Sequence, residues 1–560
     1  MTRMSGAELT IRLLERQGLT CLAGIPGGFN LPLYDALFHS RQIRHVLARH
    51  EQGAGFIAGG LARSSGETEV FFATSGPGAT NALTTLADAK LDSVPVVCIT
   101  GQAPRSLLGT DSFQEVDTYG MSLPVTKHNF LVRRLAELPE IIPEAFRIAA
   151  GGRPGPVLID LPKDIQSEVI DISSLPPPGR PAPPAGPNPD QTARAADLIN
   201  QSRRPLFLFG GGAARPETAE IALELVESGH IPAAMTMMGL GVIPVEHALS
   251  LGMIGMHGAR CANLLLAECD LLIVVGARFG DRATGRLNSF CPEAQVIHID
   301  IDAGEIGKLR SANIGLEAEA GLALAALKPL LHKERREGWL ARVSILKKSH
   351  PLIMDGARDP TTAYGIIRRT AELLGNEAII TSDVGQHQMR VAQAYPFRRP
   401  RQWLTSGGLG CMGFGLPTAI GAALKHPRVP VVCFSGDGSF LMNIQELATA
   451  VDERVNVKIV LCNNQGLGLV QQQQELFFDG RLIASRYGVE LDYGQITAGF
   501  GLPSVNLTRA ADPLTALKTA LEADGPYLIQ VDLKAEDKVY PMVPPGAANT
   551  EMIGGELCVN

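Results

Sequence analysis

Several features that mark special classes of protein are missing from this sequence of 560 residues. Its nine cysteines are odd in number and form no C-x-x-C pair, and several lie inside apolar runs such as VPVVCIT. This pattern predicts reduced, buried thiols rather than disulfides or a cysteine metal centre. The net charge is −7, and no basic stripe with interleaved aromatic residues is present, which argues against nucleic-acid binding.

Long apolar runs are missing as well. The longest, LGCMGFGLPTAIGAAL, is too short and too rich in Gly and Pro to span a bilayer. The N-terminal stretch MTRMSGAELTIRLLERQG carries charges throughout, unlike the apolar core of a signal peptide. With 45% hydrophobic and 19% charged residues, the composition is that of a globular protein with large buried sheets. We therefore predict a soluble, cytoplasmic protein.

Composition divides the chain into three blocks. A Pro-rich segment and a charged segment that ends in turn residues separate them. Within each block, continuous apolar runs of strand length alternate with helical segments, which indicates parallel sheets covered on both faces. We predict an α/β protein with three doubly wound domains at 1–172, 192–332 and 363–539, linkers at 173–191 and 333–362, and a tail at 540–560.

Two apolar runs of the third block end in residues that suit a metal and a phosphate. The first runs into a Gly-Asp-Gly turn, which places Asp437 at the carboxyl edge of the sheet. A helix predicted near 443–452 points its free N–H groups at the same place. The second run, 457–462, leads to Asn464 and Gly466. One carboxylate, one amide oxygen and one turn carbonyl form an incomplete oxygen site, which suits Mg²⁺ completed by phosphate oxygens.

Each of these motifs alone is an ordinary turn, and the specific signal is their combination. The GDG motif is followed by NN after 24 intervening residues, and both motifs end apolar strands. This arrangement resembles the signature of thiamine diphosphate enzymes. The resemblance implies that Asp437, Asn464 and the Gly466 carbonyl bind Mg²⁺, which anchors the diphosphate of the cofactor.

A further glycine motif, GLGCMG at 408–413, satisfies the dinucleotide pattern G-x-G-x-x-G. We reject that interpretation because RPRQWLTS before it does not have the pattern of a buried strand, and because the next acid, Asp437, is already assigned. In thiamine diphosphate enzymes the similar segment passes beneath the bent cofactor. The resemblance therefore implies Met412 as the residue that wedges the two rings apart; as a bare Met, core packing is the alternative.

Thiamine chemistry also needs a carboxylate at N1′ of the aminopyrimidine ring, because it promotes the imino tautomer whose N4′ removes the C2 proton. The stretch RHEQGAGFIAGGLAR at 49–63 resembles the segment that carries this acid and implies Glu51; a helix cap is the alternative. Glu51 lies in the first block and the metal site in the third. In the family these domains meet across a subunit boundary, which implies a homodimer or a larger homo-oligomer.

Motifs along nearly the whole chain resemble acetohydroxyacid (acetolactate) synthase large subunits, nearest the bacterial isozyme I type. That family condenses two pyruvates to 2-acetolactate with loss of CO₂, or pyruvate with 2-ketobutyrate to 2-aceto-2-hydroxybutyrate, in valine, leucine and isoleucine biosynthesis. Its large subunits associate with a small regulatory subunit. The motifs include SGPGATN, GTDSFQEVDTYG, GRPGPVLIDLPKD, GMIGMHG, GARFGDRATG, DVGQHQM and KVYPMVPPGAANTEM.

The resemblance implies further cofactor residues. The segment RFGDR favours the acetohydroxyacid synthases that contain structural FAD, although Gly280 stands where the family usually has Asp. An empty scaffold domain is the alternative. The residues implied for FAD are Arg153, His257, Gly258, Gly276, Arg278 and Asp300. Those implied for thiamine diphosphate, besides Glu51, are Gln386, His387, Met412, Gly438, Ser439, Gly466 and Val470.

The resemblance also implies substrate residues. Arg282 would meet the carboxylate of the second keto acid, Gln114 would lie near the reacting carbon, and Lys163 would line the access channel. Gln473 occupies a position that many members fill with Trp, which predicts weak preference for 2-ketobutyrate over pyruvate. The tail from Tyr540 is predicted to order over the active site and exclude water; a frayed terminus is the alternative.

Three other functions stay open. A pyruvate-oxidase type of enzyme would use the flavin as a redox partner. Glyoxylate carboligase lacks the glutamate, so Glu51 counts against it. A non-catalytic structural or regulatory relative would have no need of an intact set of Glu51, Asp437 and Asn464.

Overall fold

The computed structural model describes residues 2–555. It contains three six-stranded sheets in which all neighbouring strands are parallel. Each sheet is built from one of the three blocks, and helices separate most of its strands along the chain. Continuous apolar runs form these strands because both faces of a parallel sheet are covered. The predicted fold class, three doubly wound α/β domains, is confirmed, whereas the individual domain boundaries stay predictions.

The first sheet is built from residues before 173, and its strands are listed from one edge to the other. They are Arg44–Leu47, Cys21–Gly24, Glu69–Ala73, Val96–Gln102, Val157–Pro162 and His128–Leu131. A separate antiparallel pair joins Thr2–Ser5 to Val169–Ile172. The helices of this block are Gly6–Gln17, Leu31–Phe38, Glu51–Ser65, Pro77–Leu91, Thr118–Ser122, Leu138–Ala150 and Lys163–Ser167.

The middle sheet has the order Ser250–Met253, Ala233–Met235, Pro205–Phe209, Leu271–Val275, Gln295–Asp300 and Ile314–Glu317. Its helices are Pro189–Gln201, Pro216–Gly229, Arg260–Glu268, Asp281–Thr284 and Ala320–Leu327. The segment predicted as the second linker contains the helix Glu337–Ser349, whose buried Trp339 donates its indole N–H to the Pro205 carbonyl at 3.0 Å. That part of the segment packs on the middle sheet.

The third sheet has the order Trp403–Thr405, Ile379–Ser382, Val431–Gly436, Val457–Asn463, Tyr527–Asp532 and Ser504–Asn506. Its helices are Ala363–Leu374, Gln386–Ala394, Gly415–Lys425, Asp437–Met442, Glu446–Asp452, Gly468–Phe477, Tyr493–Gly499 and Pro513–Glu522.

One edge strand of this sheet corrects the sequence analysis. Trp403–Thr405 is a buried strand that ends two residues before GLGCMG, where we predicted none, because three residues between polar neighbours are too few to show a pattern. The dinucleotide interpretation fails for a different reason. The N–H groups of Gly407 and Gly408 donate to the Asp92 carboxylate at 3.0 and 2.7 Å, so these two N–H groups are already bonded within the protein.

The first and third domains pack through the helices Glu51–Ser65 and Gly415–Lys425. A side chain on Gly60 would collide with the Thr418 carbonyl, and one on Gly421 with the Ile57 carbonyl. Glycine at these two positions therefore allows the helix backbones to approach closely. As a result, the start of the first helix lies against the third domain.

The remaining general predictions concern thiols, membranes and the tail. The eight described cysteines are unpaired and all except Cys21 are buried, while Cys558 lies outside the described residues. No helix within residues 2–555 is long and apolar enough to cross a membrane. The tail is described to residue 555. Within it, the Val543 N–H donates to the Met256 carbonyl at 2.8 Å. Residues 556–560 of the predicted tail lie outside the described part.

Candidate active site

The metal site predicted in the third domain lies where two central strands end. Val431–Gly436 and Val457–Asn463 are paired in parallel, with Gly436 opposite Cys462. Asp437 and Asn464 follow these strands directly, so both emerge at the same carboxyl edge of the sheet. This is the edge at which open α/β sheets bind ligands.

Three oxygen atoms converge at this edge. The inward-facing amide atom of Asn464 lies 2.9 Å from the Gly466 carbonyl oxygen and 3.1 Å from Asp437 Oδ1. As nitrogen this atom donates to both, and as oxygen it is a third acceptor beside them. Acceptors in such contact repel unless the amide turns its nitrogen inward or a cation lies between the oxygens. Mg²⁺ holds oxygens at about 2.0–2.1 Å, so adjacent octahedral ligands stand roughly 3 Å apart, whereas the longer bonds of Ca²⁺ separate them by about 3.3–3.7 Å. The three oxygens fit Mg²⁺.

Asp437 is the only carboxylate among these three donors. It is 1% exposed, and its burial raises its pKa to about 6. The hydrogen bond that Gly466 N–H donates to Oδ2 at 2.9 Å lowers the pKa, but the effect of burial is larger. Within residues 2–555, no cluster of three or more His, Cys, Asp or Glu side chains could hold a metal ion. The donor set is therefore one that leaves room for phosphate oxygens.

The helix beside this site differs from the predicted one. Asp437 is itself the first residue of the helix Asp437–Met442, and the next helix begins only at Glu446. We had placed the relevant helix near 443–452, because two glycines in GDG indicate a turn. The shorter helix is the one whose first turn adjoins the oxygen site.

Most residues predicted to bind thiamine diphosphate surround this edge. A side chain on Gly438 would lie 3.5 Å from Met412 Cε, and Ser439 Oγ donates to the Val384 carbonyl at 2.9 Å. Gln386 lies beside Asn464, because both approach Gly468. Val470 is in the following helix, Gly468–Phe477, and is 44% exposed.

His387 is the most informative of the surrounding residues. It is buried against Gly436, and burial lowers its pKa to about 3, so that the ring is neutral. Its Nε2 has no hydrogen-bond partner. An unpaired buried nitrogen is costly, and a ligand at this edge of the sheet would offer it a partner.

Glu51 lies in the first domain at the start of the helix Glu51–Ser65. Its Oε2 accepts a hydrogen bond from Asn81 Nδ2 at 3.0 Å. The pKa of Tyr34 is raised mainly by the burial of Tyr34 and further by the negative charge of Glu51. Within the described chain, no hydrogen bond or ion pair joins Glu51 to Asp437 or Asn464.

Two predicted substrate residues also belong to the first domain. Gln114 has a φ of 57°, and its backbone packs against Gly76, where the helix Pro77–Leu91 begins. Lys163 Nζ lies 5.9 Å from the centre of the Phe29 ring. No described hydrogen bond or ion pair connects either side chain to the third domain.

A cavity of about 930 Å³ is bounded by all three domains. The residues that line it and for which the sequence predicts a cofactor or substrate role are Arg153, His257, Gly276, Arg278, Arg282, Asp300 and Gln473. Gly258 packs against Ile254 and is not part of the wall. Gly280 also borders the cavity and has open space where a side chain would stand, so the departure from the family's Asp leaves the wall intact.

The topology of the middle sheet supports a dinucleotide in this cavity. Pro205–Phe209 and Leu271–Val275 are adjacent strands in the middle of this sheet. From this pair the later strands are added outward in opposite directions. Doubly wound sheets bind nucleotides at such a switch point. Gly211, Gly212 and Gly276 follow these strands and line the cavity. Gly211 and Gly212 are not among the residues predicted from the sequence, although GGG directly after an apolar strand is a signal for them.

The charged residues around the cavity are held by specific partners. Arg153 reaches from the first domain to Asp302 at 3.2 Å and Glu305 at 2.9 Å. Burial lowers the pKa of His257 to about 4, and its Nδ1 lies 3.1 Å from the Pro541 carbonyl oxygen. The ring is therefore neutral, and its Nδ1–H donates a hydrogen bond to the tail.

Arg282 stands at the mouth of a second, smaller cavity. Its side chain is 72% exposed and pairs with the equally open Asp281 at 3.1 Å. This cavity, of about 180 Å³, is closed on the other side by tail residues that include Val543 and Asn549. Asn549 Nδ2 donates to the Ala283 carbonyl at 2.8 Å. The described tail is therefore bonded to the middle domain beside Arg282, and a frayed terminus does not describe it.

Comparisons with known proteins cover nearly the whole chain. Three thiamine pyrophosphate enzyme models match: the N-terminal TPP binding domain at 4–121, the central domain at 192–327 and the C-terminal TPP binding domain at 383–531. The Escherichia coli (strain K12) acetolactate synthase isozyme 1 large subunit is 53% identical over 552 residues, covering 99% of this chain and 98% of that protein. The isozyme 2 large subunit of the same organism is 44% identical, covering 98% and 99%. The chloroplastic acetolactate synthase of Arabidopsis thaliana is 42% identical, covering 98% and 84%.

Proposed function

This chain belongs to the acetolactate synthase large-subunit family of thiamine diphosphate enzymes, and from that premise we propose that it condenses two pyruvates to 2-acetolactate with loss of CO₂. With 2-ketobutyrate as the second substrate, the product is 2-aceto-2-hydroxybutyrate. The observation that carries the proposal is the convergence of the Asp437 carboxylate, the Asn464 amide and the Gly466 carbonyl at the carboxyl edge of two central strands. These reactions belong to valine, leucine and isoleucine biosynthesis.

In the proposed site, Asp437, Asn464 and the Gly466 carbonyl hold Mg²⁺. The remaining coordination positions are left for the phosphate oxygens of thiamine diphosphate. When bound, thiamine diphosphate supplies a carbon nucleophile and an electron sink for decarboxylation. His387, with its unpaired Nε2, and Met412, beside Gly438, bind and orient the cofactor.

Glu51 has the role of general acid and base in this proposal. Its carboxylate, oriented by Asn81, holds the proton at N1′ of the aminopyrimidine ring. Since the first and third domains of this family meet across a subunit boundary, we infer that a second copy of the chain supplies the glutamate to each site. The active unit is then a homodimer or a larger homo-oligomer.

The second keto acid is recognised by charge. Arg282 is exposed at the mouth of a cavity, so its guanidinium fork is available to a substrate carboxylate. Gln114 and Lys163 belong to the first domain and would approach the substrate together with Glu51. The tail would exclude water from this region, which would protect the reacting carbon from protonation.

The large cavity holds FAD in this proposal, with a structural role. Its volume of about 930 Å³ and its place at the switch point of the middle sheet support a dinucleotide. Arg153, Arg278 and Asp300 provide charged groups on its wall. The two Escherichia coli relatives are named large subunits, and we propose a small regulatory subunit as the partner of this chain.

The purified chain tests the proposal directly. Freed of flavin and supplied with Mg²⁺, thiamine diphosphate and pyruvate, it is expected to form acetolactate only after FAD is added. Acetolactate is measured by acid conversion to acetoin, and peroxide is measured in parallel. FAD-dependent product without peroxide supports the synthase together with a structural flavin.

Each other result of this assay contradicts one part of the proposal. Peroxide or acetyl phosphate in place of acetolactate would identify an oxidase. Full activity with no bound flavin would contradict the assignment of the large cavity. Acetaldehyde as the sole product would contradict the transfer to a second keto acid and leave the thiamine site intact.

Gln473 provides a test of substrate preference. It lines the large cavity from the helix Gly468–Phe477. Arg282 also lines this cavity and borders the smaller one. We place the substrate at this junction, where the amide of Gln473 offers little apolar contact to the extra methylene of 2-ketobutyrate. We expect Gln473→Trp to raise the ratio of acetohydroxybutyrate to acetolactate by about tenfold or more, because one buried methylene contributes roughly 1–3 kcal/mol. Both products are measured with the two keto acids in competition. Gln473→Asn, which keeps the amide, is the control, and an unchanged ratio in the Trp variant contradicts the assignment.

A further inference from the structure

A buried carboxylate of the third domain reaches the start of the helix that carries Glu51. Glu446 is 0% exposed. Its Oε1 accepts the backbone N–H groups of Arg49 and His50 at 3.0 and 3.1 Å, and its Oε2 accepts the Thr449 hydroxyl at 2.7 Å. No cofactor or substrate contact has been assigned to Glu446 above, so its burial calls for a separate explanation.

The two N–H groups that donate to Glu446 belong to Arg49 and His50, the two residues immediately before Glu51. N–H groups at a helix start have no partner within the helix, and the positive end of the helix dipole favours an anion there. Holding two consecutive N–H groups on one oxygen defines the direction in which the chain enters the helix. That direction also defines where the side chain of Glu51 points.

The neighbouring residues are arranged around this contact. A side chain on Gly53 would collide with the Glu446 carboxylate, so the glycine in HEQG makes room for it. His50 Nδ1 accepts the N–H of Gln52 at 3.1 Å and caps the helix. Glu51 is thereby left with its own side chain directed to Asn81. A helix cap was the alternative role for Glu51, and the cap consists instead of His50 and Glu446.

We propose that Glu446 is a positioning residue that aims Glu51 at the aminopyrimidine ring. The inference rests on the proposed function, because it takes Glu51 to be the general acid and base. Catalytic groups must be held within about 0.5 Å of their working geometry, and a misplacement of about 1 Å can cost roughly 100-fold in rate. Glu446 provides this precision from a different domain.

Three variants separate positioning from general damage. Glu446→Ala removes the contact, and Glu446→Gln keeps an oxygen that accepts the two N–H groups. Lys425→Met is the matched control, because Lys425 crosses the same domain boundary near the other end of the helix and pairs with Glu67 and Glu69 at 2.6 and 2.8 Å. All three are compared with the unchanged chain as Mg²⁺- and FAD-loaded proteins.

The measurements are kcat, the affinity for thiamine diphosphate by fluorescence quenching, and the deuterium exchange of its C2 proton by quenched-flow NMR. For Glu446→Ala we expect kcat and the exchange rate to fall about 100-fold, with the affinity within about threefold because the diphosphate site is untouched. Glu446→Gln should recover to within about fivefold of the unchanged chain, since its oxygen replaces the acceptor. Lys425→Met should stay within about threefold.

Unchanged C2 exchange in Glu446→Ala would overturn the inference, and so would an equal loss in the Ala and Gln variants, since the hydrogen bonds would then not matter. Glu51→Gln is measured beside them. If that variant exchanges normally, the proposed role of Glu51 fails instead. Should Glu446→Ala not fold, Glu446→Asp takes its place, because a side chain one methylene shorter cannot hold both N–H groups, and the same criteria apply.

Discussion

Asp437→Ala is expected to leave no measurable acetolactate formation at millimolar Mg²⁺. Asp437 is the single carboxylate among the three converging oxygens, so its removal takes away the only full negative charge that faces the metal. The Asn464 amide and the Gly466 carbonyl are neutral and hold a hard dication weakly without it. We expect a loss of more than about 1,000-fold in activity at fixed thiamine diphosphate concentration.

Thermal unfolding shows whether this loss comes from cofactor binding or from folding. A ligand that binds only the folded state raises the Tm, so Mg²⁺ with thiamine diphosphate should stabilise the unchanged chain and leave Asp437→Ala unaffected. Without metal, burial holds the pKa of Asp437 near 6, above its usual value of 3.8. A carboxyl group whose pKa is raised in the folded state stabilises the folded protein below about pH 3.8. This stabilisation is lost as the pH rises through about 6. The metal-free variant should therefore be no less stable than the unchanged chain at pH 8.

Asp532→Asn is the matched control for this experiment. Asp532 ends the adjacent strand Tyr527–Asp532 and accepts a hydrogen bond from Asn463 Nδ2 at 3.2 Å, one residue away from the proposed ligand. We expect its activity to stay within a few fold of the unchanged chain. If Asp437→Ala keeps more than a tenth of the activity, or if both variants lose it equally, Asp437 is not the metal ligand.

Glu51→Gln is expected to lower kcat by about 100- to 10,000-fold, the range that a positioned general acid and base contributes. The amide has nearly the shape of the carboxylate and can still meet Asn81, but it cannot take up and release a proton at N1′. Because the diphosphate and the metal are held by the third domain, the affinity for thiamine diphosphate should change by less than about tenfold. The two parameters are measured by initial rates and by fluorescence titration.

Gln52→Glu provides a second arm for this prediction. Gln52 is the next residue of the same helix, and a carboxylate placed there in the Glu51→Gln background lies about 100° further round the helix. We expect no recovery of activity. Recovery in this double variant, or a kcat within about threefold of the unchanged chain for Glu51→Gln alone, would show that a specific carboxylate at position 51 is not required.

How much could be predicted from the sequence is clear from the third domain. Val431–Gly436 and Val457–Asn463 were predicted as strands because each is a continuous apolar run, and such runs are typical of strands buried on both faces. Asp437 and Asn464 follow them directly, so their meeting at one edge follows from parallel pairing alone. The strand Trp403–Thr405 and the helix that begins at Asp437 were missed, because three residues carry no periodicity and glycines normally disfavour a helix.

The sequence by itself determined the fold class, the three blocks of strands and the local motifs, since apolar periodicity and turn residues act over a few neighbouring positions. Only the tertiary structure decided that Glu446 would bond the N–H groups before Glu51, almost 400 positions away. The same holds for the cavity that all three domains enclose. These features depend on how finished domains pack, and that packing is set by complementary surfaces that no local pattern contains.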